Sequence, residues 1–262
     1  MPAKEPVILV TNDDGITAPG LKALVEAVRG LGRVIVVSPD SPQSGMGHAI
    51  TISNPLRLEK VDVFEGIEAY QCSGTPADCV KLAKDRLLKH PADLCVSGIN
   101  HGSNSSINVI YSGTMSAAVE AAIEGIPAVG FSLLDHNFDA DFKAAAYYAK
   151  LISQQVLQYG LPDGTLLNVN IPRLPLKNIK GMKVSRQARA KWEEDYNQRK
   201  DPRGREYYWM TGRFIVQDQG EDTDEWALTN GYVSIVPTQF DMTAHHAIAF
   251  LNNNWEINAK TR

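Results

Sequence analysis

Two adjacent carboxylates, Asp13 and Asp14, follow the apolar run Val7-Ile8-Leu9-Val10 and the pair Thr11-Asn12, and precede Gly15. The run reads as a buried parallel strand, and neighbouring side chains on an ideal strand point to opposite faces. A glycine just past the strand lets the backbone bend, so that both carboxylates can turn toward one point. Ionised carboxylates that close repel each other unless a cation lies between them or one keeps its proton. Oxygen donors of this kind suit a hard divalent cation such as magnesium or manganese. Asn12-Asp13-Asp14-Gly15 is also good turn chemistry, and at the level of these residues alone a solvated turn stays open.

The elements that must position the pair repeat at βαβ spacing. Pro19 opens a helix carrying Leu21, Leu24, Val25 and Val28 at helical spacing, and Gly30 and Gly32 stop it. Val34 to Val37 is a second strand, followed by the small-residue loop Ser41-Pro42-Gln43-Ser44-Gly45-Met46-Gly47. Ile50 to Val63 alternates weakly and reads as edge strands or a hairpin. Thr75-Pro76-Ala77-Asp78 is a helix start, with Thr75 as cap and Asp78 facing back into the first turn of a helix reaching about Leu88. Asp93 to Ser97 is a further strand, opening into the polar loop Gly98 to Asn108. Met115 to Glu124, Pro127 to Leu133, Phe142 to Tyr159 and Leu166 to Pro172 continue as helix, strand, helix and strand. The sum is an α/β fold with a doubly wound sheet.

In such a sheet, ligands bind outside the carboxyl ends of the strands. The loops after three strands there offer Asp13 and Asp14, then Ser44, then Asn100 with Asn104. Adjacent strands lie about 4.8 Å apart, so those loops can share one ion. Ser112-Gly113-Thr114 precedes a helix whose N-terminal N–H groups favour an anion, although Ser112 or Thr114 also serves as an ordinary cap. From about Lys177 the character changes. Two strand-like arms rich in Arg, Trp and Tyr flank the turn Asp201-Pro202-Arg203-Gly204-Arg205, and Gly231 to Val236 reads as a return strand before a last helix near Ala244 to Asn252. Exposed aromatics on a projecting arm call for a covering surface, usually another subunit.

A chain of 262 residues with 44% hydrophobic composition buries a substantial core. The net charge of −4 gives no electrostatic reason to expect binding to a nucleic-acid duplex or a membrane. Val7 to Val10 is too short for a signal peptide, no run approaches a membrane span, and Cys72, Cys79 and Cys95 have no zinc spacing. A cytoplasmic location is the expectation.

The chain resembles the SurE, or survival protein E, nucleotidases. The resemblance rests on Thr11-Asn12-Asp13-Asp14-Gly15, Ser41-Pro42-Gln43-Ser44-Gly45, Gly74 to Val80, Ser97 to Asn104, Tyr111-Ser112-Gly113-Thr114, the arm turn Asp201 to Trp209, Thr223-Asp224 and Val233 to Pro237. It implies a three-layer, Rossmann-like, mostly parallel core over residues 1–176. Residues 177–262 would supply a C-terminal β-arm, a return strand and a short C-terminal helix used in oligomerisation. It implies hydrolysis of nucleoside 5′- and 3′-monophosphates with one divalent ion per subunit, Mg2+ or Mn2+. Matched by position, the metal ligands fall on Asp13, Asp14, Ser44 and Asn100. Homodimers, often paired into tetramers, would form through the arm. After Asp241 and Thr243 the match fails, and His245-His246 reads as the start of a surface helix rather than a substrate contact.

The expected mechanism is direct attack of a metal-activated water, with Asp13 assigned as the catalytic carboxylate and Asp13 or Asp14 orienting or deprotonating the water. Asn104 and the groups around Ser112, Gly113 and Thr114 would hold phosphate oxygens. A dehalogenase-type phosphatase needs its two Asp separated by one residue, and here they are adjacent. The turn after the first strand lacks the Gly-x-Gly-x-x-Gly pattern of a dinucleotide enzyme. A catalytically silent nucleotide-binding or assembly protein is the alternative from another class.

Overall fold

A computed structural model describes residues 5–137 and 139–255. β1 (Val7–Thr11) leads through α1 (Pro19–Val28) to β2 (Arg33–Pro39), then to β3 (Leu58–Val61) and β4 (Glu68–Cys72). α2 (Pro76–Leu82) continues as a π turn to Leu87 and is followed by β5 (Leu94–His101) and the 3-10 segment Ser106–Ile110. α3 (Gly113–Ile123), β6 (Ala128–Leu133), α4 (Lys143–Tyr159) and β7 (Thr165–Ile171) complete the alternation. β8 (Met182–Val184), β9 (Ala190–Lys200), β10 (Glu206–Val216), α5 (Asp224–Thr229), β11 (Val233–Gln239) and α6 (His245–Asn254) follow.

The main sheet has nine strands in the order β3-β4-β2-β1-β5-β6-β7-β11-β8. The chain moves outward from β1 through β2 to β4 and then returns past β1 to β5, β6 and β7. The order therefore reverses between β1 and β5, the position where an open α/β sheet leaves a crevice. β1 pairs in parallel with β2 and β5, and the strands from β4 to β7 run parallel throughout. Leu21, Leu24 and Val25 of α1 pack with Tyr148, Ile152 and Val156 of α4 on one face. Val80 of α2 and Met115, Ala117 and Ala118 of α3 cover the other. Three layers result. The capping box at Thr75 is complete: its hydroxyl accepts from the Asp78 N–H, and the Asp78 carboxylate accepts from the Thr75 N–H at 2.9 Å.

Two elements differ from the sequence expectation. Ile50 to Val63 does supply an edge strand, but only over Leu58–Val61, and its antiparallel partner β4 is unexpected, because its mixed Glu-Ala-Tyr-Gln-Cys composition masks a strand half covered by neighbours. The supposed loop from Gly98 begins as strand: β5 runs on to His101, because Ser132 and Leu133 of β6 pair with Asn100 and His101 after a register shift. Asn100 is thus held on a sheet strand.

β11 joins the main sheet antiparallel to β7 and carries β8 at its outer side. β9 and β10 form a separate two-stranded ladder, from Ala190 opposite Val216 to Lys200 opposite Glu206. Asp201 closes its tip, its Oδ1 accepting from the N–H groups of Arg203 at 2.8 Å and Arg205 at 3.0 Å. Tyr196, Tyr208, Trp209 and Met210 are exposed along the arm. Among the described residues, no helix is long and apolar enough to cross a membrane. His245 opens α6 on the surface, its Nε2 2.8 Å from Asp241 Oδ2, as the sequence reading favoured.

Candidate active site

At the β1–β5 crevice the chain turns at Gly15, with φ +98°, a conformation that glycine adopts without steric cost. Asn12 clamps the turn, donating from Nδ2 to the Gly15 carbonyl at 3.0 Å and accepting from the Ser38 hydroxyl of β2 at 2.5 Å. Gln43 donates its N–H to the Asp13 carbonyl at 2.7 Å, which draws the loop bearing Ser44 against the same turn. Asp13, Asp14, Ser44, Asn100, Asn104 and Ser112 all line one cavity of about 450 Å3. The sequence expectation of converging loops is met in space.

Asp13 is 4% exposed. Its Oδ1 accepts from the Thr114 hydroxyl at 2.5 Å. Burial, reinforced by the neighbouring Asp14 charge, pushes its pKa up to about 6. Burial also raises Asp14, against an opposing influence from His101. Asp14 Oδ2 is buried and has no hydrogen-bond partner among the described residues. An unpartnered buried carboxylate oxygen beside a second buried carboxylate is a costly arrangement that a bound cation relieves. The donor set consists of two carboxylates, the Ser44 hydroxyl and the Asn100 amide, whose Nδ2 is taken up by the Gly102 carbonyl at 2.9 Å. That leaves the Asn100 Oδ1 as its free group, and an all-oxygen set fits a hard divalent ion. Among the described residues, no three His, Cys, Asp or Glu side chains gather as a metal-holding group, so a cation here depends on the hydroxyl and amide oxygens as well.

Ser112 caps α3, its Oγ accepting from the Met115 N–H at 3.0 Å. Gly113 and Thr114 stand behind Asp13 and do not line the cavity. A Cβ on Gly113 would lie 2.7 Å from Asp13 Cβ, so the helix start is bare there to admit the carboxylate. Asn104 is fixed by a polar ladder from β7 and β6. Its N–H donates to Asn170 Oδ1, its Nδ2 to the Ser132 hydroxyl, and its carbonyl accepts from Asn168 Nδ2, each at 2.8 Å. A larger cavity of about 820 Å3 opens beside β6 and β7. Its buried Asp135 is already paired with Arg173 at 3.0 Å, so it has no comparable unmet charge.

The family model for "Survival protein SurE" matches residues 8–194, from the first strand into the arm. The chain belongs to the SurE family. The protein of Christiangramia forsetii named 5′-nucleotidase SurE is 63% identical to it over 98% of this chain and 100% of that protein. The 5′-nucleotidase SurE of Flavobacterium psychrophilum is 62% identical over 97% of this chain and 99% of that protein. The crystal structure of the SurE protein from Aquifex aeolicus superposes with a TM-score of 0.83 at 40% identity, covering 95% of this chain and 99% of that one.

In this SurE chain the cavity is closed by residues to which the sequence reading assigned no site role: His101, Ser103, Ser105, Asn108, Tyr111, His136, Trp192, Phe214 and Glu225. His101 stood inside a quoted motif and Glu225 directly follows Thr223-Asp224, so proximity to a motif was a usable signal for both. Trp192 and Phe214 carried none, since they belong to the arm by pattern and reach the cavity only through tertiary packing. Asp224 explains how. It accepts from the N–H groups of Ser106 at 2.7 Å, Ala188 at 2.9 Å and Glu225 at 2.8 Å, binding the segment next to the cavity-lining Ser105, the arm root and α5 together. Burial lifts the Glu225 carboxyl above its ordinary range, and one of its oxygens accepts from the Ser105 hydroxyl.

Proposed function

We propose that this chain is a divalent-metal-dependent phosphomonoesterase that hydrolyses nucleoside 5′- and 3′-monophosphates to nucleoside and phosphate. The observation that carries the reading is the buried Asp13 beside the half-buried Asp14 at the strand-order reversal, with an Asp14 oxygen that no donor among the described residues satisfies. Asp13, Asp14, Ser44 and Asn100 would hold the ion. When bound, a Mg2+ or Mn2+ ion supplies a lowered pKa for water and neutralises phosphoryl charge.

The residues of the chain do the rest. Thr114 fixes the Asp13 carboxylate in one orientation, so that it can align the attacking water and take its proton. The water oxygen bonds to phosphorus as the phosphorus–ester oxygen bond breaks, and the departing nucleoside oxygen takes up a proton. Ser112 and Asn104, both buried and both lining the cavity, are placed to hold phosphate oxygens while charge shifts. The names of the relatives support the 5′-nucleotidase part of this reading. Residues 177–262 are assigned to assembly into a homodimer or homotetramer through the arm, on the strength of its exposed aromatics. Three free, buried cysteines support a reducing, cytoplasmic setting.

The test is phosphate release from a panel of nucleoside 5′- and 3′-monophosphates, with Mn2+, with Mg2+ and with chelator. Turnover that survives complete metal removal, or no release from any member of the panel, refutes the proposal.

A further inference from the structure

Trp192 differs from the other aromatics of the arm. It sits at the root of the ladder, directly opposite Phe214, and both side chains line the cavity that contains Asp13 and Asp14. Its indole Nε1 donates to Asn108 Oδ1 at 2.8 Å, which takes up the ring's one polar group and fixes its plane. The two rings meet at 5.4 Å between centroids with a 57° tilt, forming a rigid aromatic corner. Trp192 nonetheless remains 42% exposed, so part of the ring is open. Tyr196, Tyr207, Tyr208 and Trp209 lie farther along the ladder and take no part in the cavity.

The cavity therefore has two chemically distinct parts. One is oxygen-rich, with Asp13, Asp14, Ser44 and Asn100. The other is an aromatic wall whose hydrogen-bonding capacity is already spent within the protein. A phosphate needs the first and gains nothing from the second. A flat, π-faced group attached to that phosphate gains from the second, because aromatic stacking is tolerant of which base is presented.

We infer that Trp192, backed by Phe214, is the platform on which the nucleobase of the substrate stacks, making the arm root a specificity-determining part of the site. This rests on the nucleotidase reading above. It accounts for why the cavity would favour nucleotides over phosphate esters that lack a base, and it predicts little discrimination among the bases.

The test compares adenosine 5′-monophosphate with ribose 5-phosphate, which keeps the sugar and phosphate and lacks the base. Wild type, Trp192→Ala and Trp192→Phe are assayed for turnover and, by calorimetry in the presence of Mn2+, for binding of both compounds. Mass measurement by light scattering accompanies each variant. Trp192→Ala is expected to weaken binding and raise KM for the nucleotide on the order of tenfold, the range typical of one base–aromatic stack. Its kcat/KM for ribose 5-phosphate is expected to stay within about twofold of wild type, and Trp192→Phe to recover most of the nucleotide affinity. Equal losses on both compounds, or an unchanged nucleotide KM and affinity, overturn the inference. If wild type binds the nucleotide and releases no phosphate, the nucleotidase reading fails by itself, and the calorimetric comparison still decides the platform.

Discussion

Removing the cation from the proposed site leaves Asp13 buried beside Asp14, and the consequence is a defined dependence of stability on pH. Asp13 titrates near 6 in the folded chain, against an ordinary value of 3.8. The folded state then holds a proton that the unfolded state has released between those values, so stability falls as pH rises through this window. About two units at about 1.4 kcal/mol each give a loss of about 3 kcal/mol from this one residue, complete by about pH 7. Asp13→Asn removes the charge and retains an acceptor for the Thr114 hydroxyl. In chelator at pH 7.5 the variant is expected to be more stable than wild type by about that amount, and near pH 4 the advantage should vanish. Acids remote from Asp13 contribute equally to both proteins and cancel in the difference, whereas Asp14, coupled to Asp13, loses a repelling neighbour in the variant and acts in the same direction. Urea unfolding from pH 4 to pH 8, with chelator and with Mn2+, measures this, and Mn2+ should stabilise wild type at pH 7.5 far more than the variant. Wild-type and variant stabilities that run parallel with pH in chelator would refute the reasoning.

Asp14→Asn is expected to fold normally and to lose phosphatase turnover by at least two orders of magnitude, checked by phosphate release alongside circular dichroism. Gly113→Val places carbon atoms where Asp13 now packs, so it should weaken Mn2+ binding and lower kcat; unchanged metal affinity in the folded variant would show that Asp13 tolerates displacement. Asp224→Ala strands three backbone N–H groups and should cost about 3 kcal/mol in chemical unfolding. Deleting the ladder beyond Trp192 and Phe214, residues 193–213, and closing it with a Gly-Ser turn should reduce the mass seen by light scattering; retention of full oligomeric mass would exclude the arm from assembly.

Local chemistry made much of this legible. An apolar strand ended by Asp-Asp-Gly, a Thr-Pro-Ala-Asp cap and an Asp-Pro-Arg-Gly turn each have their signal within a few residues, and each is found where its pattern places it. β4 escaped because its edge-side position leaves Glu68, Tyr70 and Gln71 only partly buried, which blurs alternation. Asn100 was legible as a site residue and misread as a loop residue, since its strand pairing depends on a register shift against β6. The aromatic corner was out of reach of pattern, and Glu225 had only its place beside Thr223-Asp224 to mark it. Trp192 meets Asn108, and Glu225 meets Ser105, across 84 and 120 residues of chain. No local window contains both partners. Gly113 was legible as a helix start beside the site, and what no local pattern showed is that its bare Cα face admits Asp13.

The sheet order also imposes a timetable on synthesis. β1 to β6 find all their neighbours within the first 171 residues, while one side of β7 waits for β11, and the carboxylate pair can take shape as soon as those strands emerge. β8 has no partner until β11 is made, because it pairs in the main sheet with β11 alone. Asp224, which ties the arm root to the segment at Ser106, arrives nearly 120 residues after that segment. A nascent chain halted before α5 would thus hold the ion-binding half of the crevice and the aromatic arm root, and lack Asp224, which ties that root in place, and Glu225 of the wall. In a cell, the final stretch of translation is what turns an open acidic notch into a selective pocket.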